Sequence, residues 1–170
     1  MYLKILGAIL VISACGGYGL MMVFSHRKEV AGLRALVHAL DVMICELDFR
    51  LTPLPDLCKI GADSIDGPVS SCLLRLSEIL NDQLSADVGS CTTDAVDMTA
   101  GLPQRVSLEI RSMGQTMGRF DLEGQRSGLR NCKEVCNNQL EVLEHQQPQR
   151  LRSYQTLGFC AGAALAILLF

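Results

Sequence analysis

Two thiols set the first chemical question. Cys132 and Cys136 stand four residues apart, a spacing that puts both on one face of a helix, where two side chains can share a cation. No histidine and no second cysteine pair stands at ligand spacing from them, so a zinc donor set is incomplete in the sequence, and no metal or other cofactor is expected. Eight cysteines occur, at 15, 45, 58, 72, 91, 132, 136 and 160, and none forms a CxxC pair. Cys45, Cys72, Cys132 and Cys136 fall on or beside apolar helical stripes, so the expected role is that of reduced, small hydrophobic side chains.

Other chemistries find less support. There is no GxxxxGK[ST] and no GxGxxG after a strand, so no phosphate cradle can be assembled from the sequence. His26, His38 and His145 are scattered. Glu46, Asp48, Glu134, Glu141 and Glu144 read most simply as the solvated faces of long helices. Basic residues do not cluster with aromatic ones, which leaves no nucleic-acid footprint, and the net charge of −3 supplies no strong field. A catalytic role and a small-molecule substrate are not expected.

The elements that position these residues begin with two apolar runs. The chain of 170 residues is 49% hydrophobic and 19% charged, and the apolar excess sits at its two ends. Residues 5–24 carry no charge, and residues 153–170 are again uncharged and densely apolar from Leu157. About 20 helical residues cross a bilayer core, so both runs are expected to be transmembrane helices. Arg27, Lys28 and Arg34 follow the first run, and Arg150 and Arg152 precede the second. The positive-inside rule then places residues 25–152 in the cytoplasm. Within the first run, Ile12-Ser13-Ala14-Cys15 also looks like a lipobox, and the alternative is a lipoprotein anchored at Cys15 with an exported helical binding module. The apolar character continues through Phe24, which favours an uncut span.

Small residues recur at helix-packing spacing on both runs. Gly158 and Gly162 form a GxxxG, and Ser13 and Gly17 repeat the pattern, as spans that pack in lipid require.

Between the runs, residues 25–152 read as a helical bundle. Leu33, Leu36, Val37, Leu40, Met43, Ile44, Leu47 and Leu51 recur at three and four, the mark of an amphipathic helix. "LTPLPDL" (51–57) ends it: Thr52 suits an N-cap and Pro53 a first helical position. Gly67 and Pro68 open a further helix with Val69, Cys72, Leu73, Leu76, Ile79, Leu80 and Leu84 on one side. Asp87 to Ser90 reads as its end, followed by a short helix at 92–100. Val106, Ile110, Met113 and Met117 line the next helix. After a corner in which Asp121 can cap, Leu122, Leu129, Cys132, Cys136, Leu140 and Leu143 line the last. No segment reads as a strand. The expected fold is all-α, a cytoplasmic bundle of about six helices flanked by N- and C-terminal transmembrane helices.

Five stretches, in order along the chain, carry a likeness to a known family. They are "LKILGAIL" (3–10), "CELDFRLTPLPDL" (45–57), "GPV" (67–69), "MGQTMGRFDLEGQ" (113–125) and "YQTLGFCAGAALAILL" (154–169). The chain resembles the stage III sporulation protein AB family of endospore-forming Firmicutes. That resemblance implies a mother-cell membrane protein encoded with seven others in one sporulation operon, whose products form a channel or secretion-like complex between mother cell and forespore. It also implies likeness to the platform protein of type II secretion and type IV pilus machines. The partners would be the bilayer, the stage III sporulation protein AA ATPase and other proteins of the operon. As contact positions it points to the Arg119–Asp121 corner and the Thr52-Pro53 turn, where helix capping is the plainer role for the same residues.

Overall fold

The computed structural model describes residues 2–82, 87–117 and 123–145, with side chains for Met21 and from Phe24 onward. Five helices are α1 (Tyr2–Arg50), α2 (Leu54–Asp63), α3 (Pro68–Asp82), α4 (Val88–Asp97) and α5 (Gln104–Met117). A sixth, α6, runs over residues 123–145. No strand occurs among the described residues. The chain divides into two compact units, Glu29–Glu141 and a second that takes in Met1–Lys28 and Val142–Phe170.

Within Glu29–Glu141 the helical periodicities become a core. On α1, Val30, Leu33, Leu36, Ala39, Leu40, Met43 and Leu47 are buried, recurring at three and four. α5 buries Val106, Ile110, Met113 and Met117, and α6 buries Leu129, Cys132, Cys136 and Leu140. Each such Leu, Ile or Met withdraws enough apolar surface to favour folding by about 1.5–3 kcal/mol. α1 reaches three neighbours. The Gly61 backbone of α2 lies against Met43, Gly32 of α1 lies against Pro103 and Val106, and Lys133 of α6 pairs with Asp41. α3 follows α2 through a turn in which Gly67 takes φ +92°, open to glycine and strained for other residues. Pro68 then opens α3, as its fixed φ suits, and Ser70 Oγ donates to the Ala62 carbonyl at 2.9 Å to tie the two helices.

Several expectations need correcting. The α1 stripe ends at Leu47: Leu51 lies outside the helix at φ +54° and is 60% exposed. Thr52 precedes a proline and is driven out of helical geometry, so α1 has to stop before it. The N-cap of α2 is Pro53, not Thr52, and no side chain caps that helix. Pro53 itself has ψ 149°, outside the helix, while its carbonyl accepts the Leu57 N–H at 2.9 Å. α4 starts at Val88, four residues before the expected start, with Asp87 at the N-cap. Cys45 is exposed, whereas Cys58, Cys72, Cys91, Cys132 and Cys136 are buried.

Among the described residues no helix is long and apolar enough to cross a membrane. The expected span at 153–170, with Gly158 and Gly162, lies outside the described residues, as do the side chains of residues 5–20, Ser13 and Gly17 included. The backbone of residues 5–24 is helical, within α1.

Candidate functional site

The corner between α1 and α2 concentrates the features that a contact surface needs. Past Leu47 every residue to Leu51 is exposed: Asp48, Phe49, Arg50 and Leu51. Phe49 is 83% exposed, an unusual placement for a large aromatic side chain that could have been buried. Leu51 follows two residues later, on a left-handed backbone that costs a branched residue on the order of 1–3 kcal/mol. Thr52 is half-buried and Pro53 exposed. The corner offers two exposed apolar side chains, Phe49 and Leu51, followed by the Thr52-Pro53 step.

Charge pairs hold this corner to the start of α6. Asp48 takes Arg126 Nε at 2.5 Å and Arg130 at 3.0 Å, one on each carboxylate oxygen. The Arg126 contact is an ion pair without an aligned hydrogen bond from Nε. Arg126 also donates to Glu123 at 3.0 Å, and Arg50 stands 3.8 Å from Glu46 one turn back. These groups are partly exposed, and such pairs contribute about 0.2–1 kcal/mol each. Asp48→Ala is therefore expected to lower the melting temperature by about 3 °C at low salt, and by less in high salt as screening removes the pairs. Thermal melts of the detergent-purified chain at the two salt levels measure this; an equal loss in both would rule out an electrostatic origin.

Arg119 and Asp121, the other expected contact positions, lie outside the described residues. Sequence reasoning placed Asp48 on a solvated face and Leu51 in the core. It missed the Asp48–Arg126–Arg130 network because the partners are about eighty residues apart, and periodicity carries no information on such pairings.

A second gathering of side chains lies between α5 and α6. Glu109, Cys132 and Cys136 bring a carboxylate oxygen and two sulfurs within 4.8 Å of one another. Cys132 Sγ approaches the Glu109 carbonyl at 4.0 Å, and Gln139 Nε2 donates to Glu109 Oε1 at 2.6 Å. The hydrogen bond with Cys132, then burial, then the charges of Cys132 and Glu109 all push the Cys136 thiol up. No histidine joins a cluster of three such donors among the described residues.

The family model for stage III sporulation protein AB matches residues 4–170, the described bundle and both apolar runs alike. This chain belongs to that family. It is 25% identical to the stage III sporulation protein AB of Bacillus subtilis (strain 168), over 98% of this chain and 99% of that one. No solved structure matches it. The resemblance carried by the five sequence stretches is thus shown, and sporulation is the process in which this family takes part.

Proposed function

We propose that this chain is a non-enzymatic platform subunit of the membrane complex that joins mother cell and forespore, coupling a cytoplasmic ATPase to membrane subunits. The match over residues 4–170 carries the reading, because it takes in both apolar runs and the bundle in one family pattern. In this reading residues 5–24 and 153–170 span the mother-cell membrane around the forespore, and residues 25–152 are the cytoplasmic bundle. The uncharged run at 5–24 lies within one helix of 49 residues, the form a span must take, because only internally bonded backbone tolerates lipid. Ser13, Gly17, Gly158 and Gly162 supply packing faces for other membrane subunits. Phe49, Leu51, Thr52 and Pro53 offer the ATPase of the same operon an apolar contact, with Arg119 and Asp121 as further contacts.

The test is recovery of partners from sporulating cells. Gly158→Leu with Gly162→Leu is expected to cut co-purified membrane subunits at least tenfold, roughly what 1.4 kcal/mol of lost association gives. Phe49→Asp with Leu51→Asp is expected to release the ATPase and keep those subunits. Unchanged recovery in both variants would defeat the platform reading. Cys45 reports the topology, because it is exposed while Cys58 and Cys91 are buried. An impermeant thiol reagent should label Cys45 only after lysis. Labelling of intact cells that Cys45→Ser abolishes would instead support export of the bundle and the lipoprotein anchored at Cys15.

A further inference from the structure

We propose that Glu109, Cys132 and Cys136 form a binding site for a soft divalent cation, zinc foremost, that clamps α5 to α6. The pair on α6 supplies two sulfurs from one helix face, and α5 supplies the carboxylate across the helix contact. All three donor atoms lie within 4.8 Å of one another. A tetrahedral zinc with bonds of about 2.3 Å to sulfur and 2.0–2.2 Å to oxygen sets its donors roughly 3.5–3.8 Å apart. The side chains therefore need to close by about 1.3 Å at most, within reach of small rotations about their own bonds.

The surroundings suit a cation better than they suit the bare side chains. Burial as a small hydrophobe accounts for Cys132 and Cys136 taken alone. It does not account for a carboxylate held over them. Gln139 holds Glu109 with the 2.6 Å bond to Oε1, as outer partners of metal ligands do. The other end of the same amide, Gln139 Oε1, is buried with no hydrogen-bond donor, and a metal-bound water is the kind of donor such an oxygen needs. Binding of a dication displaces the thiol protons of its cysteine ligands. Two sulfurs among three donors select zinc, cobalt or iron(II) over magnesium and calcium, which take oxygen donors.

Cobalt(II) is the probe, added to the reduced, detergent-purified full chain without oxygen. One equivalent should produce the sulfur-to-cobalt charge-transfer absorption and the intense visible bands of a tetrahedral centre, and zinc should abolish both. Cys132→Ser and Cys136→Ser should each remove the charge-transfer band, while Cys58→Ser and Cys91→Ser keep it. Glu109→Gln and Gln139→Ala should each weaken cobalt binding by tenfold or more. Zinc should raise the melting temperature of the parent chain and leave that of Cys136→Ser unchanged. Absence of the sulfur band at tenfold excess cobalt overturns the proposal, and so does a band that persists with both cysteines replaced. Should the serine variants fail to fold, Glu109→Gln decides, since it keeps shape at a half-buried position: cobalt affinity equal to the parent's overturns the site.

Discussion

Gly114→Ala is expected to destabilise the bundle by about 2–3 kcal/mol, a large effect for one added methyl group. Gly114 sits on α5 with its backbone against Thr92 of α4. A Cβ there would lie 1.7 Å from Thr92 Oγ1, 2.6 Å from Thr92 Cβ and 2.9 Å from Thr92 Cγ2. Rotating the threonine cannot relieve this, because its Cβ is itself too near and a β-branched side chain has few χ1 choices. Thr92 is fully buried, and its hydroxyl is committed to the Val88 carbonyl one turn back. The helices must therefore separate. Alanine's better helix propensity returns about 1 kcal/mol at most, too little to offset the clash. The melting temperature should fall by on the order of 10 °C. Gly128→Ala is the matched control: its Cβ would meet Thr116 Cβ at an ordinary 3.5 Å. There the propensity gain stands alone, and stability should hold or rise by about 0.5–1 kcal/mol. Equal melting of Gly114→Ala and the parent chain would refute the close approach of α4 and α5.

That close approach was invisible in the sequence, and the reason is general to this chain. Helix existence was legible wherever the apolar period ran for three turns or more, as on α1 and α5. Val106, Ile110, Met113 and Met117, read as a stripe, are all buried. Helix ends were less legible, because turn-forming residues have a second way to be satisfied. Asp87 to Ser90 look like a break, yet Ser90 Oγ donates to the Asp87 carbonyl at 2.7 Å and Thr93 Oγ1 to the Gly89 carbonyl at 2.9 Å. With their hydroxyls bonded back along the helix, these residues start α4 rather than end α3. Leu51 fails in the opposite sense: its spacing from Leu47 fits the stripe, but the Thr52-Pro53 step removes it from the helix. The candidate sites depend on pairings that spacing cannot encode, Asp48 with Arg126 and Glu109 with Cys132. Cys132 and Cys136 alone supply two donors of a set whose third lies on another helix.

Alkaline pH should unfold the bundle through its buried thiols, Cys58 among them. Cys58 has no exposed surface, and burial, then the nearby negative charge available to Cys72, pushes its thiol from 9.0 up to about 12. The Cys72 thiol is also pushed up by burial, with Thr99 and Arg75 opposing the rise. In the unfolded chain the Cys58 proton leaves near pH 9, whereas the folded chain keeps it until about pH 12. The stabilising contribution is thus complete below pH 9 and drains away between those limits, because over that range the folded state binds more protons. One retained proton costs about 1.4 kcal/mol of stability per pH unit, so three units remove about 4 kcal/mol. That is a large share of what a bundle of this size possesses. Thermal melts from pH 8 to 11 should show a steepening fall above pH 9. In Cys58→Ala the melt at pH 8 starts lower, from the lost packing, but its fall with pH should be shallower by the slope of one proton. A variant that falls as steeply as the parent would assign the alkaline sensitivity to other groups. Thiol labelling supplies the second reading: at pH 8 Cys45 should react at once, and Cys58 only as fast as the bundle opens, so the protected thiol and the pH-sensitive one should prove to be the same residue.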